Sequence, residues 1–103
     1  MAKLALNPAP TFHAKVGIPV AGGPPVDVDM TFKHRTKTQL DEFVKTSGER
    51  TDAESFMEMV SAWDLEDPFT KESVELLLEN YIGAAVATYR KYIDELVQAK
   101  TGN

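Results

Sequence analysis

Two histidines and two aspartates are the residues of this sequence that come closest to a metal or acid–base site. His13 and His34 stand at the two ends of a segment that is predicted below to be a hairpin. Asp27 and Asp29 lie two residues apart in its second arm. Imidazole nitrogens and carboxylate oxygens are common metal ligands. No spacing of the HExxH kind accompanies them, so the simpler interpretation is strand-end histidines and the wet side of a strand.

The other candidates for chemistry are a glycine pair and several serines. Gly22-Gly23 is followed by two prolines and a strand pattern rather than by a helix N-terminus, so it lacks the geometry that cradles phosphate. Ser47, Ser61 and the other serines have no G-x-S-x-G context and no paired histidine. No cysteine is present, which excludes thiolate nucleophiles and Cys-based zinc sites. We therefore predict that the protein is not an enzyme and has no catalytic residue, metal or cofactor.

Alternation of apolar and polar residues on both sides of the glycine pair predicts the first structural element. Such a segment has one buried and one wet face when it forms a strand. The break between the arms, Ala21–Pro25, preserves the parity, so antiparallel pairing puts both apolar sets on one side. We predict an antiparallel β-hairpin with strands at about 11–20 and 26–34, preceded by an extended arm at 1–10. The apolar positions are Phe12, Ala14, Val16, Ile18, Val20, Val26, Val28, Met30 and Phe32.

The rest of the chain changes to helical periodicity, which could cover the apolar side of the hairpin. Thr36 and Gln39 have the spacing of a capping box, and so do Thr51 and Glu54. Thr70 is a natural cap for a third helix, and apolar residues then recur at helical spacing through the last part of the chain. We predict one α+β domain, 1–103, with four α-helices at about 37–47, 52–63, 71–79 and 82–99.

Charge is distributed unevenly along the chain. The net charge is −5, but residues 1–40 carry +3 and residues 41–79 carry −9. An acidic middle disfavours nucleic-acid binding, and no apolar run approaches the ~20 residues of a membrane span. We therefore expect a soluble, cytoplasmic protein with neither nucleic acid nor membrane as a partner. The hairpin edge and the amphipathic last helix leave surfaces that predict weak homo-oligomers.

Aromatic and basic residues supply the candidates for partner contact. Large aromatic side chains dominate both small cores and interfaces, so each is either a core residue or an interface anchor, and its burial decides. A basic run at the end of the hairpin, residues 33–37, supplies two further candidates, Lys33 and Arg35. The hypothetical partner-binding residues are Trp63, Phe69, Tyr81, Tyr92, Lys33 and Arg35.

Short signatures run through nearly the whole chain in a fixed order. They are Leu6-Asn7-Pro8-Ala9-Pro10-Thr11-Phe12, Ile18-Pro19-Val20 with Gly22-Gly23, Phe32-Lys33-His34-Arg35-Thr36, Trp63-Asp64 with Asp67-Pro68-Phe69, Leu77-Leu78, Asn80-Tyr81, Gly83-Ala84-Ala85 and Gly102-Asn103. Each has a local explanation, but in this order and spacing the chain resembles one family. It is similar to the small tail assembly chaperones of long-tailed bacteriophages, in the group related to the lambdoid tail chaperones.

This resemblance implies a non-catalytic assembly factor. Such chaperones bind the tape-measure protein, keep it soluble and help to recruit tail-tube subunits in the host cytoplasm, and they are absent from the mature virion. Many are also made in a longer, frameshifted form, so a longer form of the protein itself is a further expected partner. The alternative is a structural tail or head–tail component that stays in the virion, with its hairpin inserted between neighbours in a ring.

Overall fold

The computed structural model of the protein describes residues 2–98, in which a three-stranded antiparallel sheet packs against four α-helices. The strands are β1 (Thr11–Ile18), β2 (Val26–Lys33) and β3 (Val60–Trp63), and the α-helices are α1 (Lys37–Lys45), α2 (Asp52–Met59), α3 (Lys71–Asn80) and α4 (Ala84–Val97). A 3-10 turn, Ser47–Glu49, lies between α1 and α2. This is the predicted α+β architecture. The expected end of the last helix at residue 99 lies outside the described residues.

The predicted hairpin is confirmed, with the predicted parity. Val16 lies opposite Val28 in the antiparallel register, and both side chains are buried. The ribbon ends sooner at its tip than expected, because a turn in which the Gly23 N–H donates to the Val20 carbonyl begins directly after β1. Gly22 takes the left-handed backbone conformation there, with φ of 79°. The even-numbered residue Val26, close to this turn, is 53% exposed.

Residues 60–63 form a strand, so the prediction of a helix over 52–63 is wrong in its last turn. Phe56, Val60 and Trp63 fit helical spacing, which is why periodicity alone predicted a longer helix. In the structure Val60 pairs with Phe32 and Trp63 pairs with Met30. This pairing satisfies backbone groups along β2 that would otherwise lack a partner, and Val60 is a good strand former. The sheet order is therefore β1-β2-β3.

The first three helices start where the sequence indicates, whereas the last starts at Ala84, two residues later than predicted. Together the helices close the apolar face of the sheet. Both predicted capping boxes form, at Thr36 for α1 and at Thr51 for α2. Thr70 accepts a hydrogen bond from the Ser73 N–H at the start of α3. In the core, the ring of Tyr92 from α4 stacks on that of Phe32 with centroids 5.4 Å apart. The last helix therefore fills the centre of the core over the hairpin.

The corner between α3 and α4 touches the hairpin tip. A Cβ atom built on Gly83 would lie 2.9 Å from Cγ of Pro19, closer than such atoms approach in practice. The absence of a side chain at residue 83 is therefore what allows α4 to begin against the hairpin. This contact fixes the position of the tip relative to the helices.

Candidate functional site

The four residues first considered for metal chemistry do not converge. His13 Nδ1 lies 3.6 Å from Asp29 Oδ1 on the open face of the sheet, and the His13 side chain is 73% exposed. Across the ribbon His13 pairs with Thr31, whereas the backbone N–H of His34 donates to the carbonyl of Pro10, just before the start of β1. Within residues 2–98, no group of three or more His, Asp or Glu side chains could hold a metal ion. None of the helices in this range is long and apolar enough to cross a membrane.

An apolar groove of about 340 Å³ opens between the hairpin tip and α3, and we call it the tip groove. The hairpin contributes one wall and α3 the other, while residues at and after the end of β3 form the floor. Two of its wall residues are strongly exposed: Leu76 is 63% exposed and Val26 is 53% exposed. The lining residues are Ile18, Val20, Val26, Val28, Trp63, Leu65, Asp67, Ser73, Leu76, Leu77, Asn80 and Tyr81.

The floor of the tip groove is held by an aromatic cluster. The indole N–H of Trp63 donates a hydrogen bond of 2.8 Å to the carbonyl of Asp67. Phe69 meets Trp63 edge to face with ring centroids 5.0 Å apart, and Phe56 meets it at 6.2 Å. These contacts fix the orientation of the indole while leaving part of it open to the groove. The groove is therefore preformed rather than dependent on a partner for its shape.

Next to the tip groove, the α3–α4 corner carries a ridge of exposed apolar side chains, Tyr81, Ile82 and Val86, which we call the corner ridge. Their exposed fractions are 41%, 91% and 54%. Tyr81 also lines the tip groove, whereas Val86 lines a second cavity of about 400 Å³ between α4 and the α1–α2 region. The ridge therefore has one residue in each cavity, Tyr81 in the first and Val86 in the second. Surfaces of this kind mark interaction sites more often than singly exposed apolar residues do.

The surroundings of the tip groove are acidic. Residues 64–80 contain six Asp or Glu residues and one Lys. Asp67 lines the groove, and the exposed Glu72 and Glu79 lie one turn before and one turn after Leu76 on α3. The negative potential therefore favours a ligand that combines apolar side chains with positive charge.

Tyr92 is fully buried and presents no surface to a partner. Its hydroxyl donates to the carbonyl of Lys33 at 2.7 Å and accepts from Arg35 Nη1 at 3.0 Å. Burial raises the pKa of Tyr92 above 10.0, because the phenolate would lose its hydration, and the nearby Arg35 only partly offsets this. Of the two interpretations of Tyr92, interface anchor or core residue, its burial favours the core residue.

The two basic candidates, Lys33 and Arg35, bind the end of α2. Lys33 Nζ donates to the carbonyl of Met57 at 3.0 Å. Arg35 donates to the carbonyl of Glu58 at 2.7 Å and to its carboxylate at 2.8 Å. Cations in the last turn of a helix satisfy its free carbonyls and complement its dipole, so these side chains have structural partners. They lie at the end of the sheet opposite to the tip.

Of the six partner-binding candidates, the structure brings Trp63 and Tyr81 together in the tip groove, with Phe69 supporting the first of them. The sequence did not identify Leu76 or Val86 as surface residues, and the last helix, predicted from residue 82, included Ile82. Ile82 precedes that helix, which begins at Ala84. A boundary two residues later would have identified Ile82 as an exposed apolar residue in a connecting segment.

Comparison with known protein families gives a match over the whole chain. A family model described as phage tail assembly chaperone matches residues 1–103, the whole chain. No curated protein and no solved structure matches the chain. The match agrees with the resemblance carried by the ordered signatures from Leu6 to the end of the chain.

Proposed function

Because the chain belongs to the phage tail assembly chaperone family, we propose that it binds the tape-measure protein through the corner ridge and helps to recruit tail-tube subunits during tail assembly. Membership of the family implies a non-catalytic protein that interacts with other tail proteins inside the host. The observation that carries the proposed site is that Ile82, a large apolar side chain at the α3–α4 corner, is 91% exposed.

The physical properties of the ridge suit a holding chaperone. Such a protein must offer apolar surface to an insoluble partner and must itself stay in solution. Ile82 and Val86 supply apolar area, worth ~25 cal/mol per Å² when a partner covers it. The net charge of −5 opposes non-specific aggregation. An amphipathic helix of the tape-measure protein, laid along the ridge with Tyr81 at one end, fits this surface.

Co-expression with the tape-measure protein of the same phage tests the proposal. The wild-type chain should raise the soluble fraction of that protein and co-purify with it. An Ile82→Ser/Val86→Ser variant should lose most of this effect. Val97→Ser is the matched control, because Val97 is 55% exposed on the same helix and lies outside the ridge. Unchanged solubility with the wild-type chain would contradict the function, and equal loss with Val97→Ser would contradict the site.

Mass spectrometry of purified virions separates the chaperone from a structural subunit. We propose that the protein acts in the host cytoplasm and leaves before the virion is complete, so virions should contain none of its peptides. A stoichiometric amount in virions would favour the structural tail or head–tail component instead.

A pull-down with the tail-tube protein tests recruitment. The nucleotide sequence near the end of the gene tests for the frameshifted longer form.

A further inference from the structure

We propose that the tip groove of one molecule binds the N-terminal arm, residues 2–10, of a second copy. The arm precedes the sheet without regular structure, and all of its residues are exposed. Leu4 and Leu6 are 86% and 91% exposed, so the arm carries two apolar side chains with no partner in their own molecule. The groove also has apolar side chains that nothing covers, because Leu76 and Val26 are more than half exposed. This proposal does not rest on the function proposed above.

The arm cannot reach the exposed wall of its own groove at the hairpin tip, where Val26 lies opposite Ile18. The carbonyl of Pro10 is held at the start of the sheet by the N–H of His34, whereas the exposed groove residue Val26 lies opposite Ile18, at the other end of β1. The seven steps from Thr11 to Ile18 span about 23 Å in a strand. Leu6, five residues before Thr11, reaches about 17 Å at most, even if the arm folds straight back.

Leu4 could cover about 24 Å only at full extension, with no residue left to reverse the chain. A Pro8-Ala9-Pro10 segment makes such a tight reversal still less favourable, because each proline holds the backbone near the extended polyproline conformation. An arm of this length and stiffness therefore leaves the exposed tip of its own groove uncovered, and its residues stay exposed. The arm of a second copy is not limited in this way and can place both of its leucines in the groove.

The chemistry of the arm matches that of the groove. Leu4 and Leu6 are two residues apart, so they project to the same side of an extended chain. Lys3 is the only charged side chain among residues 2–10, whereas Asp67, Glu72 and Glu79 surround the groove. The apolar pair can therefore enter the groove while the ammonium group faces the acidic rim. The attraction between Lys3 and the acidic rim favours this docking, and the same rim repels an acidic segment.

Two arrangements satisfy this contact. Two molecules that exchange arms form a closed, two-fold dimer, whereas arms that always pass to the next molecule form an open chain.

Tyr81 belongs both to the groove and to the corner ridge. An arm in the groove would therefore occupy part of the surface proposed for the tape-measure protein, and the two binding events would compete.

A synthetic peptide of residues 2–10 with blocked termini tests the contact directly. Trp63 is the single tryptophan and lies in the groove floor, and the peptide contains none, so indole emission reports occupancy. We expect saturable binding of the wild-type peptide to the full-length protein. Replacing Leu4 or Leu6 by serine should weaken it at least about tenfold for each leucine, since each loses more than ~1.5 kcal/mol of apolar burial. The Ala5→Ser peptide is the matched control and should bind unchanged.

The same contact is tested between whole chains by analytical ultracentrifugation. A Leu4→Ser/Leu6→Ser protein and a Leu76→Ser protein should each associate at least about tenfold more weakly than the wild type, with unchanged circular dichroism. Mixed together, they should form heterodimers, because the first keeps an intact groove and the second an intact arm. Unaltered Trp63 emission at millimolar peptide would overturn the proposal. So would unchanged association of both variants, or a mixture that stays monomeric.

Discussion

The hydroxyl of Tyr92 donates a hydrogen bond of 2.7 Å to the backbone carbonyl of Lys33. Tyr92 lies in the last helix and Lys33 ends β2, so this hydrogen bond joins the C-terminal helix to the N-terminal hairpin. Arg35 donates to the same hydroxyl, and its guanidinium lies 4.4 Å over the centre of the Phe43 ring. A polar network therefore closes one side of an otherwise aromatic core.

Replacing Tyr92 by phenylalanine removes that network while keeping the ring. We expect the free energy of unfolding to fall by ~1–3 kcal/mol, because the Lys33 carbonyl and the Arg35 guanidinium each lose a partner in a partly buried place. Urea denaturation followed by Trp63 fluorescence measures it. Tyr89→Phe is the control, since within residues 2–98 the Tyr89 hydroxyl makes no hydrogen bond, and it should change stability by less than ~0.5 kcal/mol. An equal effect of both variants would contradict the role of the network.

The raised pKa of Tyr92 predicts a loss of stability in alkali. The folded state favours the neutral phenol, so the contribution of Tyr92 is fully present below its unfolded pKa of about 10.0 and is lost as pH rises through the higher folded pKa. Urea midpoints measured between pH 9 and pH 11 should therefore fall more steeply for the wild type than for Tyr92→Phe. Parallel curves for the two proteins would show that Tyr92 does not carry this dependence.

The parity of the hairpin is tested by a pair of adjacent substitutions. Val28 is 3% exposed, so Val28→Asp would put a carboxylate in the core and should unfold a domain that has only ~5–15 kcal/mol of stability. The Asp29 side chain is 41% exposed on the other face, and Asp29→Val should leave the fold intact. Thermal melts followed by circular dichroism compare them. The opposite order of stability would require a register shifted by one residue.

Thr88 on α4 offers a stabilising substitution. Its side chain is fully buried, and its hydroxyl has no hydrogen-bond partner within the described residues. Thr88→Val replaces the hydroxyl by a methyl group of similar size, so the buried polar atom no longer has to lose its hydration. We expect a gain of ~1 kcal/mol in the free energy of unfolding. Thr88→Ser keeps the hydroxyl and loses the methyl group, and it should be destabilising; a loss of stability with valine would contradict this account.

The contact between Gly83 and Pro19 predicts that the corner cannot accept a side chain. Gly83→Ala would place its Cβ 2.9 Å from Cγ of Pro19, and a proline ring cannot move aside alone. We expect a loss of ~1 kcal/mol or more and a shift of Trp63 emission as the tip moves. Gly48→Ala is the control, because a Cβ there meets no atom within 4 Å. Equal stability of the two variants would show that the corner yields without cost.

The sequence predicted the elements whose signals are local. Alternation fixed the hairpin and its buried face, and the capping boxes at Thr36 and Thr51 placed the starts of α1 and α2. The third strand was not predictable in this way. Val60 and Trp63 satisfy helical spacing as well as strand pairing, and what decides between them is the unpaired edge of β2, thirty residues earlier in the chain.

Partner surfaces were harder to predict, because residue type does not determine exposure. Tyr92 and Tyr81 are both tyrosines near the last helix, yet the first is fully buried and the second is 41% exposed. Arg35 belongs to a basic run that indicates a solvated edge, but its side chain is committed to α2 and to Phe43. Such assignments depend on how the elements pack, which no short pattern encodes.

The central position of Tyr92 has a consequence for biosynthesis. The hairpin can pair as soon as residue 33 has left the ribosome, but its apolar face then lacks the ring that stacks on Phe32 and the hydroxyl that binds Lys33. Until residue 92 emerges, that face stays uncovered by α4. The core is therefore completed only once α4 has left the ribosome, and until then the apolar strand residues of the nascent chain lack the partners that α4 supplies.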